Sequence, residues 1–191
     1  MRKSRWIIAA GVIAALIAGG IVLQLQSSTT VVMVVRHAEK NNSASCSATD
    51  PSNVPISSPL GTDRAAELAH VVENAGVQAI FASELCRTQQ TVQPTATQLG
   101  LTRIDVNQHP GGVANVDELL RQVSRDHKGQ VILIAGHNDT VPLIIAGLGA
   151  GPINPIQESE FDNLYVVTIR RSWLKFGSYV TMVRLKYGRA T

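Results

Sequence analysis

Aromatic residues are scarce in this 191-residue sequence, with 3 Phe, 2 Trp and 3 Tyr making up 4% of the chain. So few rings leave little with which to grip a base or stack along a nucleic-acid strand. Cysteine is scarcer, at two. His37-Ala38-Glu39 contains the His-x-Glu half of a catalytic zinc signature, but Cys46 and Cys86 stand far apart and no Pro-Cys-x-x-Cys completes it. No His-Glu-x-x-His occurs either. These absences argue against a metal hydrolase, and nothing calls for a metal or a cofactor. An excess of one charge is also missing from the body of the chain. Lys and Arg total 17 against 14 Asp and Glu, and Arg2, Lys3 and Arg5 alone supply the difference. The remainder is neutral and lacks the dense basic patch of a nucleic-acid binder, for which Arg170-Arg171 is too small a cluster. No segment recurs at a fixed period, which speaks against repeat architectures.

What is present begins with a compartment signal. Met1 to Arg5 is basic, and Trp6 to Leu23 runs without a charge. That length suits a membrane span better than a signal core, since a span needs roughly 20 apolar residues and a signal core about 7 to 15. Residues 1–27 are therefore expected to form an N-terminal hydrophobic helix, either an uncleaved signal anchor or a signal peptide, followed by one domain over 28–191. Basic residues ahead of the apolar run place the domain outside the cytoplasm, in the periplasm, anchored to the membrane or secreted. Such a compartment permits a Cys46–Cys86 disulfide. Two unpaired thiols remain the other reading.

Periodicity then divides the domain. Thr30 to Val35 is a β-branched run that reads as a buried strand, and Lys40 to Pro59 a long polar loop. Gly61 to Gly76 carries Ala65, Leu68, Ala69 and Val72 at helical spacing. Val77 to Ala82 reads as a strand, Leu85 to Leu99 as a helix interrupted at Pro94, and Thr102 to Val106 as a weaker strand. Asn115 with Glu118 resembles a helix-start signature ahead of Val116, Leu119, Leu120 and Val123. Val131 to Ala135 reads as a strand and Thr140 to Leu148 as a buried helix; Leu164 to Ile169 and Tyr179 to Tyr187 close the chain as strands. Alternating strands and helices predict a three-layer α/β/α sandwich with a mostly parallel central sheet, and ligand sites at the carboxyl ends of its strands.

Immediately after three of those strands stand Arg36-His37-Ala38-Glu39, Ser83-Glu84-Leu85-Cys86-Arg87-Thr88 and Gly136-His137-Asn138-Asp139-Thr140. Two histidines and two arginines converging at strand ends suit phosphoryl chemistry. A neutral imidazole attacks phosphorus while guanidinium forks and a second imidazole take up the charge on the equatorial oxygens. His70 and His127 read as surface or capping residues, and Glu158, Glu160 and Asp162 as a solvated turn before a strand. His109 lies in a loop.

These segments resemble the histidine phosphatases, a superfamily that includes the cofactor-dependent phosphoglycerate mutases. Val35 to Glu39 resembles the Arg-His signature, Ser83 to Thr91 the pocket-arginine segment, and Gly136 to Pro142 the second-histidine segment. Leu60-Gly61-Thr62-Asp63-Arg64-Ala65 resembles the family's Arg-Ala helix start with shortened spacing. The resemblance spans about Thr30 to Ile169. It implies a phosphoglycerate mutase-like fold with His37 as the phosphorylated nucleophile, Arg36 and Arg87 as phosphoryl ligands, and His137 as transition-state stabiliser. Asn138 would contribute to substrate binding through its backbone N–H. The general acid is not carried over cleanly: Asp139 is the first choice, and Glu39, Glu84, Asp117 and Glu118 stay open. Small size and the absence of insertions favour a phosphatase over a mutase, which must shield its phosphate from water. The substrate expected is a small or envelope-derived phosphomonoester. A membrane-tethered module that binds phosphorylated ligands or proteins without turnover is the alternative.

Overall fold

The computed structural model describes residues 28–106, 113–171 and 178–191. The expected N-terminal helix of residues 1–27, and His109, lie outside them. No helix among the described residues is long and apolar enough to cross a membrane.

Six strands, β1 (Thr29–Arg36), β2 (Val77–Ala82), β3 (Arg103–Asp105), β4 (Val131–Gly136), β5 (Asn163–Arg171) and β6 (Ser178–Lys186), form one sheet in the order β3-β2-β4-β1-β5-β6. Side chains alternate between the faces of a strand, and over the central strands both faces are covered. On one face Met33, Val35, Ile80, Ala82, Leu133 and Ala135 meet Leu68 and Val72 of helix α1 (Leu60–Val72) and Val92 and Ala96 of α2 (Cys86–Leu99). On the other, Val32, Val34, Phe81, Ile132 and Ile134 meet helix α3 (Val113–Asp126) through Leu119 and helix α4 (Thr140–Ile145) through Val141, Ile144 and Ile145. Double burial explains why β1 and β4 read as near-continuous apolar runs rather than alternating ones. The three-layer architecture matches the sequence expectation.

Strand direction needs correction. β3, β2, β4 and β1 run parallel, but β5 is antiparallel to β1 and to β6, so the sheet is mixed rather than mostly parallel. A parallel crossover needs a dozen or more residues, and the six between β5 and β6 allow only an antiparallel return. The helix-start reading at Asn115 also fails, because α3 already begins at Val113; Glu118 instead accepts from Arg121 and Gln122 along the helix. The helix expected to reach Leu148 gives way after Ile145 to a wider turn, Ala146–Ala150, containing Gly149 at φ 90. α2 tolerates Pro94 and stops at Gly100, whose left-handed φ of 64 lets Leu101 N–H reach back to Ala96 O at 2.9 Å.

Candidate active site

Sheet register builds the site. Arg36 at the end of β1 lies opposite Gly136 at the end of β4, and Ala82 of β2 lies opposite Ala135, so three neighbouring strands end side by side. His37, His137 and Ser83 are the next residues of each. His37 N–H continues the ladder by donating to Gly136 O at 2.9 Å. The two imidazoles end with ring centroids 5.3 Å apart at 61°, both buried.

His37 is held as a neutral base. Its Nδ1 lies 2.7 Å from the Ala38 carbonyl, which can only accept, so Nδ1 carries the proton and Nε2 keeps its lone pair. Burial lowers its pKa to about 3, and the positive charges of Arg36, Arg87 and Lys40 push the same way against the opposing Ala38 hydrogen bond. Ala38 N–H donates to Thr91 Oγ1 at 2.8 Å, fastening the loop to α2.

His137 is oriented by a chain of hydroxyls. Thr88 Oγ1 donates to Leu85 O at 2.7 Å and so accepts from Ser83 Oγ, also at 2.7 Å. Ser83 Oγ therefore accepts from His137 Nε2 at 2.8 Å. Neither Ser83 nor Thr88 was assigned a role from sequence, although Ser83 occupies the same strand-end position as the histidines. Thr140 Oγ1 accepts from His137 N–H at 2.9 Å, closing the turn into α4.

Both arginines are lowered in pKa by burial, and the charge of Arg36 adds to the lowering at Arg87. Arg36 Nη1 donates to the carbonyls of Gln157, Glu158 and Glu160 at 2.8, 3.0 and 3.1 Å, and its Cζ lies 4.2 Å from the Phe161 ring centre. Arg87 Nη1 donates to Ser52 O at 3.1 Å. The Nε atoms of both are buried without a hydrogen-bond partner among the described residues. Two unmet cationic donors beside a neutral histidine suit an anion with several oxygens.

Of the acid candidates, Asp139 precedes α4, is exposed, and makes no side-chain capping bond, while its charge acts on both Arg36 and Arg87. Glu39 is occupied: Arg64 Nε and Nη2 fork onto its carboxylate at 2.7–3.0 Å. Glu84 acts on Arg87. Asp117 and Glu118 belong to α3, and the Glu118 carboxylate is taken by Arg121 and Gln122. Asn138 uses its side chain, donating from Nδ2 to Glu158 Oε1 at 2.9 Å. Glu158 is thus no mere solvated turn; its carboxylate also accepts from Arg36 Nη2 at 3.1 Å.

Cys46 and Cys86 form a disulfide, Cα–Cα 6.5 Å, that ties the polar loop to the start of α2 beside Arg87. No group of three or more metal-ligating side chains is found among the described residues.

Residues 32–111 match the profile of the histidine phosphatase superfamily (branch 1). This segment is similar to that superfamily. It contains Arg36, His37 and Arg87, while His137 lies beyond it. Among solved structures, the protein histidine phosphatase SixA complexed with tungstate superposes with a TM-score of 0.57 at 15% identity, over 82% of this chain and 96% of that one. Phosphoserine phosphatase from Entamoeba histolytica with 3-phosphoglyceric acid gives 0.52 at 14% identity, over 84% and 98%. Mycobacterial glucosyl-3-phosphoglycerate phosphatase gives 0.52 at 13%, over 74% and 91%. At these identities the likeness establishes the histidine phosphatase fold. No curated protein sequence matches the chain.

Proposed function

We propose that this protein hydrolyses phosphomonoesters through a phosphohistidine intermediate on His37. The observation that carries the reading is the neutral His37, its Nε2 lone pair retained, beside the buried Arg36 and the half-buried Arg87, whose Nε–H groups are buried without partners among the described residues. The phosphatases among the structural neighbours support it.

In the proposed reaction His37 Nε2 attacks phosphorus in line with the leaving oxygen, forming N–P as P–O breaks. Arg36 and Arg87 donate to the equatorial oxygens, where fixed donors in a water-poor site stabilise the spreading charge. His137, its Nε2–H anchored on Ser83, stabilises the same oxygens through the rest of its ring when protonated. Asp139 protonates the departing alkoxide and then takes a proton from the water that attacks phosphohistidine. Asn138 offers its backbone N–H to the same oxygens. The proposed reaction uses no metal ion.

The substrate class proposed is a small or envelope-derived phosphomonoester, and the compartment proposed is extracytoplasmic, with membrane attachment through residues 1–27. The basic start, the uncharged Trp6 to Leu23 run and the Cys46–Cys86 disulfide support that placement.

The test is hydrolysis of 4-nitrophenyl phosphate by the full chain in detergent with EDTA present. Wild type is expected to turn over and to form an acid-labile phosphoenzyme, and His37→Ala to do neither. Asp139→Asn is expected to lower kcat by about 10²-fold on an alkyl phosphate and far less on the aryl ester, whose leaving group needs little protonation. Vanadate binding with no wild-type turnover would replace this reading with the non-catalytic phospholigand-binding module.

A further inference from the structure

The Glu158 carboxylate occupies one group assigned above to the substrate, the Arg36 guanidinium, together with two side chains near it. Oε2 accepts from Arg36 Nη2 at 3.1 Å and lies 3.8 Å from Lys40 Nζ, and Oε1 accepts from Asn138 Nδ2 at 2.9 Å. Glu158 is fixed at its backbone, where its own carbonyl is one of the three that hold Arg36 Nη1, yet its side chain is 69% exposed. Arg36 therefore has Nη1 committed to carbonyls, Nε unmet, and Nη2 covered by this carboxylate. A carboxylate presents to a guanidinium fork much the same pair of oxygens as a phosphoryl group. A phosphoryl group that reaches both Nε and Nη2 meets the Glu158 carboxylate on the same nitrogen and competes with it there. The backbone tether keeps the displaced charge at the mouth, where Glu160, Asp139 and Glu84 already act on the two arginines.

We propose that Glu158 is a specificity-determining residue: an internal anion that the substrate phosphoryl group displaces from Arg36 and Asn138, and that then excludes a second anionic group. The inference rests on the pocket being a phosphoryl site. It sets the substrate class as monoesters whose alcohol part is neutral or cationic, with bisphosphates and nucleoside polyphosphates disfavoured. It also sets a weak hold on inorganic phosphate, which must compete with Glu158 to stay.

The experiment titrates inorganic phosphate and vanadate calorimetrically into the full chain in detergent, as wild type, Glu158→Gln and Glu158→Ala, and needs no turnover. Each variant is expected to bind both anions about tenfold more tightly, the scale of one like-charge contact removed. In parallel, kcat/KM for a hexose 1,6-bisphosphate relative to the 6-phosphate should rise about tenfold in Glu158→Gln. Unchanged or weaker anion binding in both variants overturns the proposal. A fall in kcat confined to alkyl esters also overturns it, since that is the mark of a proton donor. Tighter anion binding without any wild-type hydrolysis would uphold Glu158 and sink the hydrolase reading; wild-type hydrolysis without tightening would do the reverse.

Discussion

His37 contributes a pH dependence of stability that follows from its burial. Its pKa is about 3 in the fold, against about 6.5 in an unfolded chain, so the unfolded state binds the extra proton first as pH falls. The resulting loss of stability is absent above pH 6.5, grows between 6.5 and 3, and is complete below 3. At pH 5 it amounts to about 2 kcal/mol. Denaturant melts at pH 7.5 and 5 should show that loss in wild type and its absence in His37→Gln. Ser83 offers a second single-residue test, since Ser83→Ala strips the buried His137 Nε2–H of its acceptor. That change is expected to cost about 1–3 kcal/mol of stability and to lower kcat more than it raises KM. The meeting of Arg36, His37 and His137 was legible in the sequence because they stand at or just after the ends of strands written in β-branched and apolar residues, and Arg87 because it opens the helix that follows another such strand. Glu158 was not, because its partners Arg36 and Asn138 lie 122 and 20 residues away. The unpartnered Nε atoms are likewise visible only once the chain is folded.

Between elements, the Arg64–Glu39 pair joins α1 to the loop that follows His37. Arg64 Nη1 and Nη2 also donate to the carbonyls of Tyr187 and Arg189, and a Cβ at Gly61 would stand 2.5 Å from Glu39 O. The Leu-Gly-Thr-Asp-Arg-Ala segment, recognised from sequence as a helix start, is thus a clamp that removes Glu39 from the list of acids. Arg64→Ala leaves a largely buried carboxylate unpaired and is expected to destabilise the fold by about 3–5 kcal/mol in urea melts. The disulfide closes a stretch of 40 residues, so Cys46→Ser/Cys86→Ser should lose about 4 kcal/mol on the chain-entropy account. The direction of β5 could not be read beforehand, since an apolar run such as Leu164 to Ile169 looks the same paired either way. The start of α3 was misplaced because Asn115 and Glu118 mimic a capping pair from inside the helix.

At the scale of the molecule, the parallel strands β2, β4 and β1 bring their carboxyl ends to one edge, and the helix layers stabilise that edge from a distance. Leu119, fully buried in the α3 layer, tests the separation. Leu119→Ala is expected to cost about 2–5 kcal/mol yet leave kcat of the folded fraction unchanged. The polar loop has a consequence of another kind. Ala48, Thr49, Pro51 and Ser52 are exposed between Cys46 and Cys86, so a protease can cut there. The cut would divide the reacting groups between two polypeptides, His37 and Arg36 on the shorter and Arg87 and His137 on the longer, with a single sulfur–sulfur bond as their covalent link. Such a nicked molecule would migrate as one band without reductant and as two with it, and its activity would then depend on thiols.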